Sequence, residues 1–200
     1  MTTLFLARHG ETVWHAENRY CGRTDVGLTD RGVEQARRLA AWTAGAGLNA
    51  VWSSDLSRAR VTAQPSAEAA GVEVRVDPRL RELDFGAAEG LTIAEMGQQF
   101  PDALAAFLSD PATHHLPRGE DPHAAAQRFV AALVDIDAEF PDGRVLVVAH
   151  SSAIRLALCT LLGIRLGRYR DLFPAVHNCA ITEIRALKGH FALMQYNNPS

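Results

Sequence analysis

The run Val145-Leu146-Val147-Val148-Ala149 restricts the fold more than any other feature of this chain of 200 residues. It is apolar without alternation, as expected of a strand covered on both faces, and such strands belong to parallel sheets flanked by helices. Further short β-like runs occur at Thr3–Ala7, Ala50–Trp52, Val72–Val76, Ala180–Ile184 and Phe191–Tyr196. Helical patterns separate most of them. Thr29 can cap a helix carrying Val33, Ala36, Ala40 and Thr43 on one face, and a second helix is expected from about Asp55 to Ala70, with Pro65 kinking it or ending it early. Asp121 and Pro122 read as N-cap and first residue of a helix with Phe129, Leu133, Ile136 and Phe140 in register. Ser151 or Ser152 can cap a helix ending at Leu162–Gly163. Strands alternating with helices predict an α/β fold, a three-layer α/β/α sandwich with a mostly parallel sheet. The last two strands lack an intervening helix, so one sheet edge is expected to be antiparallel.

Residues 86–120 interrupt the strand–helix alternation. Thr92-x-x-Glu95 is a capping-box pattern and Pro101 suits a first helical position, so two short helices are expected there. They read either as an inserted cap or lid, or as a helical connection without a binding role. The whole chain is expected to form a single domain.

Composition narrows the function classes. A net charge of −3 gives no general attraction to nucleic acid or membrane, and 48% hydrophobic with 22% charged residues suits a globular protein. Positive charge is almost all arginine, with Lys188 the single lysine. Base composition of the genome can explain that; a functional reading is forked recognition of oxyanions. Cys21, Cys159 and Cys179 are odd in number and scattered, which argues against a disulfide framework and for a reducing compartment. The opening MTTLFLARHG has no basic leader, and no run approaches the ~20 apolar residues of a membrane helix. The expectation is a cytoplasmic protein.

The chemistry-bearing residues collect at strand ends. The first strand runs into Arg8-His9-Gly10-Glu11-Thr12, and the VLVVA strand runs into His150-Ser151-Ser152. The run at Ala50–Trp52 leads to Arg58 in the first turn of the next helix, and that at Val72–Val76 leads to Glu82. Open parallel sheets bind ligands beyond the carboxyl ends of their strands, so these groups are expected at one rim. Taken singly, each has a plainer reading as a hydrogen-bonded histidine, a solvated helix arginine or a surface carboxylate. Their joint placement is what points to a site.

The segments LFLARHGETVW, GRTDVGLTDRGVEQA, SSDLSRARVTA, LRELDFGAAEG, PRGED and VLVVAHSSAIR, in that order, resemble the histidine phosphatase superfamily, in its phosphoglycerate mutase-like branch. The resemblance runs from Leu4 to about Arg155, with a weaker echo at Asn178–Ile184. It implies that His9 is the nucleophile and becomes phosphorylated, that Arg8, Arg58 and His150 surround the phosphoryl group, and that Glu82 donates the proton to the leaving oxygen. The scheme needs no metal and no cofactor. Its partner is a small phosphomonoester substrate, with nucleic acid and membrane excluded and the oligomeric state left open, a homodimer among the options.

Departures from the family pattern mark further candidates for substrate binding. His15 stands where the family often has asparagine, and a protonated imidazole there would bind a phosphate dianion. Ser151 and Ser152 replace two glycines; their hydroxyls either bind phosphate or cap the helix, capping being favoured. Cys21-Gly22-Arg23 replaces the T-G-W-like loop of the mutases and places their substrate contact in question. Four functions compete: a phosphatase, a phosphoglycerate mutase using the same phosphohistidine, a non-catalytic phosphate-binding module, and a metallohydrolase. The mutases carry paired arginines and a lysine in the insertion, whereas residues 86–120 hold only Arg118, which favours the phosphatase. Nucleophile and acid are both present, which disfavours a mere binding module, and no H-E-x-x-H or H-x-H spacing supports a metal centre.

Overall fold

The computed structural model describes residues 1–187 and 189–200; Lys188 lies outside them. Six strands form one sheet: β1 Thr2–Arg8, β2 Ala50–Ser53, β3 Val74–Val76, β4 Arg144–Ala149, β5 Ile181–Leu187 and β6 His190–Asn198. Their spatial order is β3-β2-β4-β1-β5-β6. The first four are mutually parallel, β5 runs antiparallel to β1, and β6 antiparallel to β5. The mostly parallel sheet with an antiparallel edge is thus the observed architecture. β3 is shorter than the apolar run suggests, because at the sheet edge only three residues find pairing partners on β2.

Side-chain alternation distributes the sheet between two cores. Phe5, Ala7, Leu146 and Val148 pack with Leu39 of α1 (Asp30–Thr43) and with Ala59, Ala63 and Ala67 of α2 (Ser57–Ala70). Leu4, Leu6, Val145 and Val147 face Phe129 and Leu133 of α5 (Pro122–Glu139) and Leu156 of α6 (Ser151–Leu161). Residues 86–120 carry α3 (Ile93–Gln99) and α4 (Pro101–Ser109). Met96, Leu104 and Phe107 from these helices join this second core rather than forming one of their own. A four-residue helix, α7 (Tyr169–Leu172), follows α6.

Local signals hold where side chain and backbone are close in sequence. Thr29 accepts from the Gly32 N–H, Asp121 accepts from the His123 N–H, and Thr92 and Glu95 form both bonds of a capping box. Pro65 does not end α2, which continues to Ala70 and closes on Gly71 in the left-handed region (φ 69°). Burial of Ala59, Ala63, Ser66 and Ala67 against the sheet outweighs the hydrogen bond that proline cannot make. Nor does Ser151 or Ser152 cap α6: its N-cap is His150, with no side-chain cap bond. The first amides of α6 are satisfied from elsewhere, as follows.

Candidate active site

β1 delivers Arg8 and His9 to the carboxyl rim of the sheet. The following turn is fixed by the close approach of two glycines: a Cβ on Gly10 would lie 2.5 Å from the Gly32 carbonyl, and one on Gly32 would lie 2.1 Å from that of Glu11. Only bare backbone permits α1 to start so near the turn. Gly10 N–H donates to Thr62 Oγ1 at 2.9 Å, and Asn178 Nδ2 donates to the His9 carbonyl at 2.8 Å. The buried His9 ring lies 2.7 Å from the Gly10 carbonyl through Nδ1. A carbonyl can only accept, so Nδ1 carries the proton and Nε2 keeps its lone pair. Burial, reinforced by Arg8 and Arg58, holds the His9 pKa well below its ordinary 6.5, so the ring is neutral.

His150, at the end of β4, places its ring centroid 5.1 Å from that of His9. Its Nε2 lies 2.7 Å from Ser54 Oγ, while Nδ1, although buried, has no partner among the described residues. Burial and then Arg58 hold this ring neutral too. Arg58 is fully buried. Its terminal nitrogens donate to the carbonyls of Thr24 (2.8 Å) and Gly22 (2.6 Å), and its Nε is left without a partner. Arg8 repeats the arrangement, donating to the Val176 carbonyl at 2.9 Å and leaving a buried Nε unpartnered. Burial lowers the Arg8 pKa to about 10, which still leaves it charged at neutral pH. The loop holding Arg58 is itself tied by Glu89, whose carboxylate accepts from the amides of Gly22, Arg23 and Thr24.

Glu82 supplies what the serines of α6 do not. Its buried carboxylate accepts from the amides of Ser152 (Oε2, 3.0 Å) and Ala153 (Oε1, 2.8 Å) at the start of α6, and from its neighbour Leu83 (Oε1, 2.9 Å). A helix N-terminus is where a carboxylate is best placed. Oε1 takes two bonds and Oε2 one, so Oε2 is the oxygen with room for a proton. Arg128 fixes the supporting chain by donating to the carbonyls of Arg79, Arg81 and Glu82.

Arg8, His9 and Glu82 border a cavity of about 560 Å³ that is also lined by His15, Cys21, Tyr20, Phe85, Ile93, Arg155 and Arg170; Arg58 and His150 stand outside that lining. The remaining candidates divide. Cys21 reaches the cavity, as a thiol whose pKa burial raises to about 11. Gly22 is instead spent on scaffolding: its N–H goes to Glu89 and its carbonyl to Arg58. Ser151 is outside the cavity lining, and Ser152 stands there in its place. His15 lines the cavity, but not as a cation. Its Nε2 is 2.6 Å from an Arg8 terminal nitrogen. Its Nδ1 accepts the Thr12 backbone N–H at 3.0 Å and lies 2.8 Å from Thr12 Oγ1. Burial first, and then Arg8, lower the pKa of His15 to about 4. At neutral pH the ring is therefore uncharged and lies against Arg8, at the edge of the cavity where the sequence led to a phosphate ligand.

Sequence reasoning passed over Thr62, Asn178, Arg155 and Arg170. The spacing of Ser152 and Arg155, three residues apart on one face of α6, was a usable signal for Arg155. Nothing local marked Arg170, whose place depends on how α7 packs.

The comparisons agree on the family. A family model described as "Histidine phosphatase superfamily (branch 1)" matches residues 4–199. "Probable phosphoglycerate mutase GpmB" of Enterobacter sp. (strain 638) is 35% identical over 185 residues, covering 92% of this chain and 85% of the relative. Among solved structures, Bacillus stearothermophilus YhfR aligns with a TM-score of 0.93 at 30% identity, over 100% of this chain and 98% of its own. A mycobacterial glucosyl-3-phosphoglycerate phosphatase, solved in complex with VO3, aligns with a TM-score of 0.87 at 31% identity, over 98% and 99%.

Proposed function

Because the chain belongs to the histidine phosphatase superfamily, we propose that it hydrolyses small phosphomonoesters through a phosphohistidine formed on His9. The observation that carries this reading is the state of His9. It is a buried neutral imidazole whose Nδ1–H is held by the Gly10 carbonyl, so that Nε2 is an available lone pair. Around it, Arg8 Nε, Arg58 Nε and His150 Nδ1 are buried nitrogens without partners among the described residues, and a phosphoryl group would give all three one.

Nε2 attacks phosphorus, and the bond from phosphorus to the leaving oxygen breaks as Glu82 transfers its proton to that oxygen. Water then attacks the phosphohistidine, with the ionised Glu82 accepting a proton from it, and phosphate is released. The two guanidinium groups offset charge on the equatorial oxygens throughout. Residues 86–120, which contribute Ile93 to the cavity lining next to Phe85, act in this reading as a cap over the leaving group.

A second reading is phosphoglycerate mutase, favoured by the names of the curated relatives. Against it stands the scarcity of cations in residues 86–120, where Arg118 is the one arginine and lysine is absent. The test is a panel of phosphomonoesters assayed for released phosphate, with interconversion of the phosphoglycerates measured alongside. The expected result is release from wild type and none from His9→Ala, with acid-labile label on wild type after brief exposure to labelled substrate. Interconversion outpacing release would favour the mutase, and strong release by His9→Ala would remove His9 as nucleophile.

A further inference from the structure

In the proposed reaction two histidines with ring centroids 5.1 Å apart do opposite things: His9 offers a lone pair to phosphorus, and His150 offers a proton to the phosphoryl oxygens. Both rings are neutral, so each carries one N–H, and the nitrogen that bears it decides what the ring can do. For His9 the Gly10 carbonyl, which can only accept, keeps the proton on Nδ1. For His150 the partner is Ser54 Oγ, 2.7 Å from Nε2. A hydroxyl both donates and accepts, so this contact alone does not select the tautomer; the surroundings do. Ser54 is fully buried, and its hydroxyl has no other partner among the described residues. His150 is fully buried too, and its Nδ1 has no partner there. With the proton on Nε2, the serine hydrogen and the Nδ1 lone pair would both be left buried and unmatched, and that lone pair would repel an incoming phosphoryl oxygen. With the proton on Nδ1, Ser54 donates to Nε2 and one N–H is left over, which an oxyanion satisfies. Ser54 is also firmly placed. It follows β2 directly, its N–H donates to the Val148 carbonyl of β4 at 3.3 Å, two residues before His150, and Ser53 Oγ donates to its carbonyl at 2.9 Å.

Taking the phosphatase reading as its basis, we infer that Ser54 is a positioning residue: by donating to Nε2 it holds His150 as the Nδ1–H tautomer, so that this ring donates to the phosphoryl oxygens while the neighbouring ring attacks phosphorus. The serine touches neither substrate nor reacting atoms and acts through His150. One type of side chain thereby serves as nucleophile at the end of β1 and as hydrogen-bond donor at the end of β4. The first is met by a carbonyl on Nδ1, the second by a hydroxyl on Nε2.

Long-range proton–nitrogen correlation NMR on protein with isotope-labelled histidine reads the tautomer directly, His150 being assigned as the signal missing from His150→Gln. The wild-type ring should carry its proton on Nδ1, both in the free protein and with orthovanadate bound, a phosphoryl mimic that needs no turnover. In Ser54→Ala this single tautomer should give way to the Nε2–H form or to a mixture. Vanadate affinity and kcat/KM should each fall about tenfold, the size of one net hydrogen bond. Ser54→Thr keeps a hydroxyl and should restore the tautomer and the affinity together. A wild-type ring protonated on Nε2 would overturn the proposal without recourse to any variant. So would a folded Ser54→Ala protein in which either the tautomer or the vanadate affinity is unchanged, since the serine would then be merely structural. Failure of the phosphatase reading shows elsewhere, as no phosphate release across the panel or no vanadate binding to wild type, while the tautomer in the free protein still reports on Ser54.

Discussion

Glu82→Gln tests the proton-donor assignment, because the substitution keeps the shape and removes the transferable proton. For alkyl phosphates the departing alkoxide is strongly basic, and loss of a general acid should lower kcat/KM by about 10²–10⁴-fold. For p-nitrophenyl phosphate the leaving group is already a stable anion, so the loss should stay below roughly tenfold on the same reasoning. The structure adds a cost in stability. The glutamine carbonyl can keep the bonds from Leu83 and Ala153, but its NH₂ then faces the Ser152 amide, donor against donor. One orphaned buried amide costs about 1–3 kcal/mol. At the few degrees per kcal/mol typical of a chain this size, Tm should drop by roughly 2–12 °C.

The assay is steady-state kinetics of wild type and Glu82→Gln on one alkyl and one nitrophenyl phosphate at a temperature where each is folded, with Tm read by calorimetry. Equal losses on the two substrates, with Tm lowered, would refute the acid role and leave Glu82 as a cap for α6. A selective loss on the alkyl ester is the result expected.

Three other outcomes follow from the same geometry. Arg58→Ala should lose about 10²–10³-fold in kcat and Arg58→Lys less, since an ammonium replaces one contact of the fork; kcat near wild type for Arg58→Ala in phosphate-release kinetics would make Arg58 a purely structural cation. His15→Asn should leave the dependence of KM on pH unchanged between pH 6 and 8, because His15, with its pKa lowered to about 4, is neutral across that range; a flattened profile in the variant would restore His15 as a protonated ligand. Stability should fall as pH drops: His9 and His150 stay neutral in the folded chain well below 6.5 but take up protons near 6.5 when unfolded, so the unfolded state binds more protons below that pH. Each contributes up to about 1.4 kcal/mol per pH unit in that window, and urea midpoints that do not fall between pH 6.5 and 5 would contradict the buried neutral state.

Legibility in the sequence followed the range of the interaction. Val145–Ala149 announced its burial because five residues carry the pattern by themselves, and Asp121, Thr92 and Thr29 announced their helices because a cap acts within three residues. The α6 cap was misread for the opposite reason. Its acceptor, Glu82, is 70 residues away from the Ser152 amide, so Ser151 and Ser152 looked like the natural caps. Of the two effects expected of Pro65, ending α2 early did not occur, because a helix-breaking tendency is local whereas the alanine face acts through the sheet. The rim residues Arg8, His9, Arg58, Glu82 and His150 could be brought together on paper because strand ends share a rim. Which atoms stay unpaired there could not, since that depends on the carbonyls of Gly22, Thr24 and Val176 meeting the arginines.

Those carbonyls explain how a chain of net charge −3 maintains a cationic cavity. Away from the site, arginines are neutralised by carboxylates: Arg79 by Asp77 and Asp135, Arg81 by Asp55, Arg128 by Glu120. At the site, Arg8, Arg58 and Arg155 are oriented by backbone carbonyls and Arg170 by a phenol, while Arg19 of the cavity lining is paired with Glu17 and Glu95. A carbonyl fixes a guanidinium through its dipole yet leaves the full unit of charge to act on whatever enters. A carboxylate in the same place would bind the arginine more tightly and leave an incoming phosphate dianion to compete with it. The single carboxylate retained, Glu82, is held by three amides and not by an arginine, so it too is oriented without being neutralised by a cation. Neutral dipoles next to Arg8, Arg58 and Glu82 thus orient these groups while leaving their charge uncancelled, as the proposed phosphoryl transfer requires.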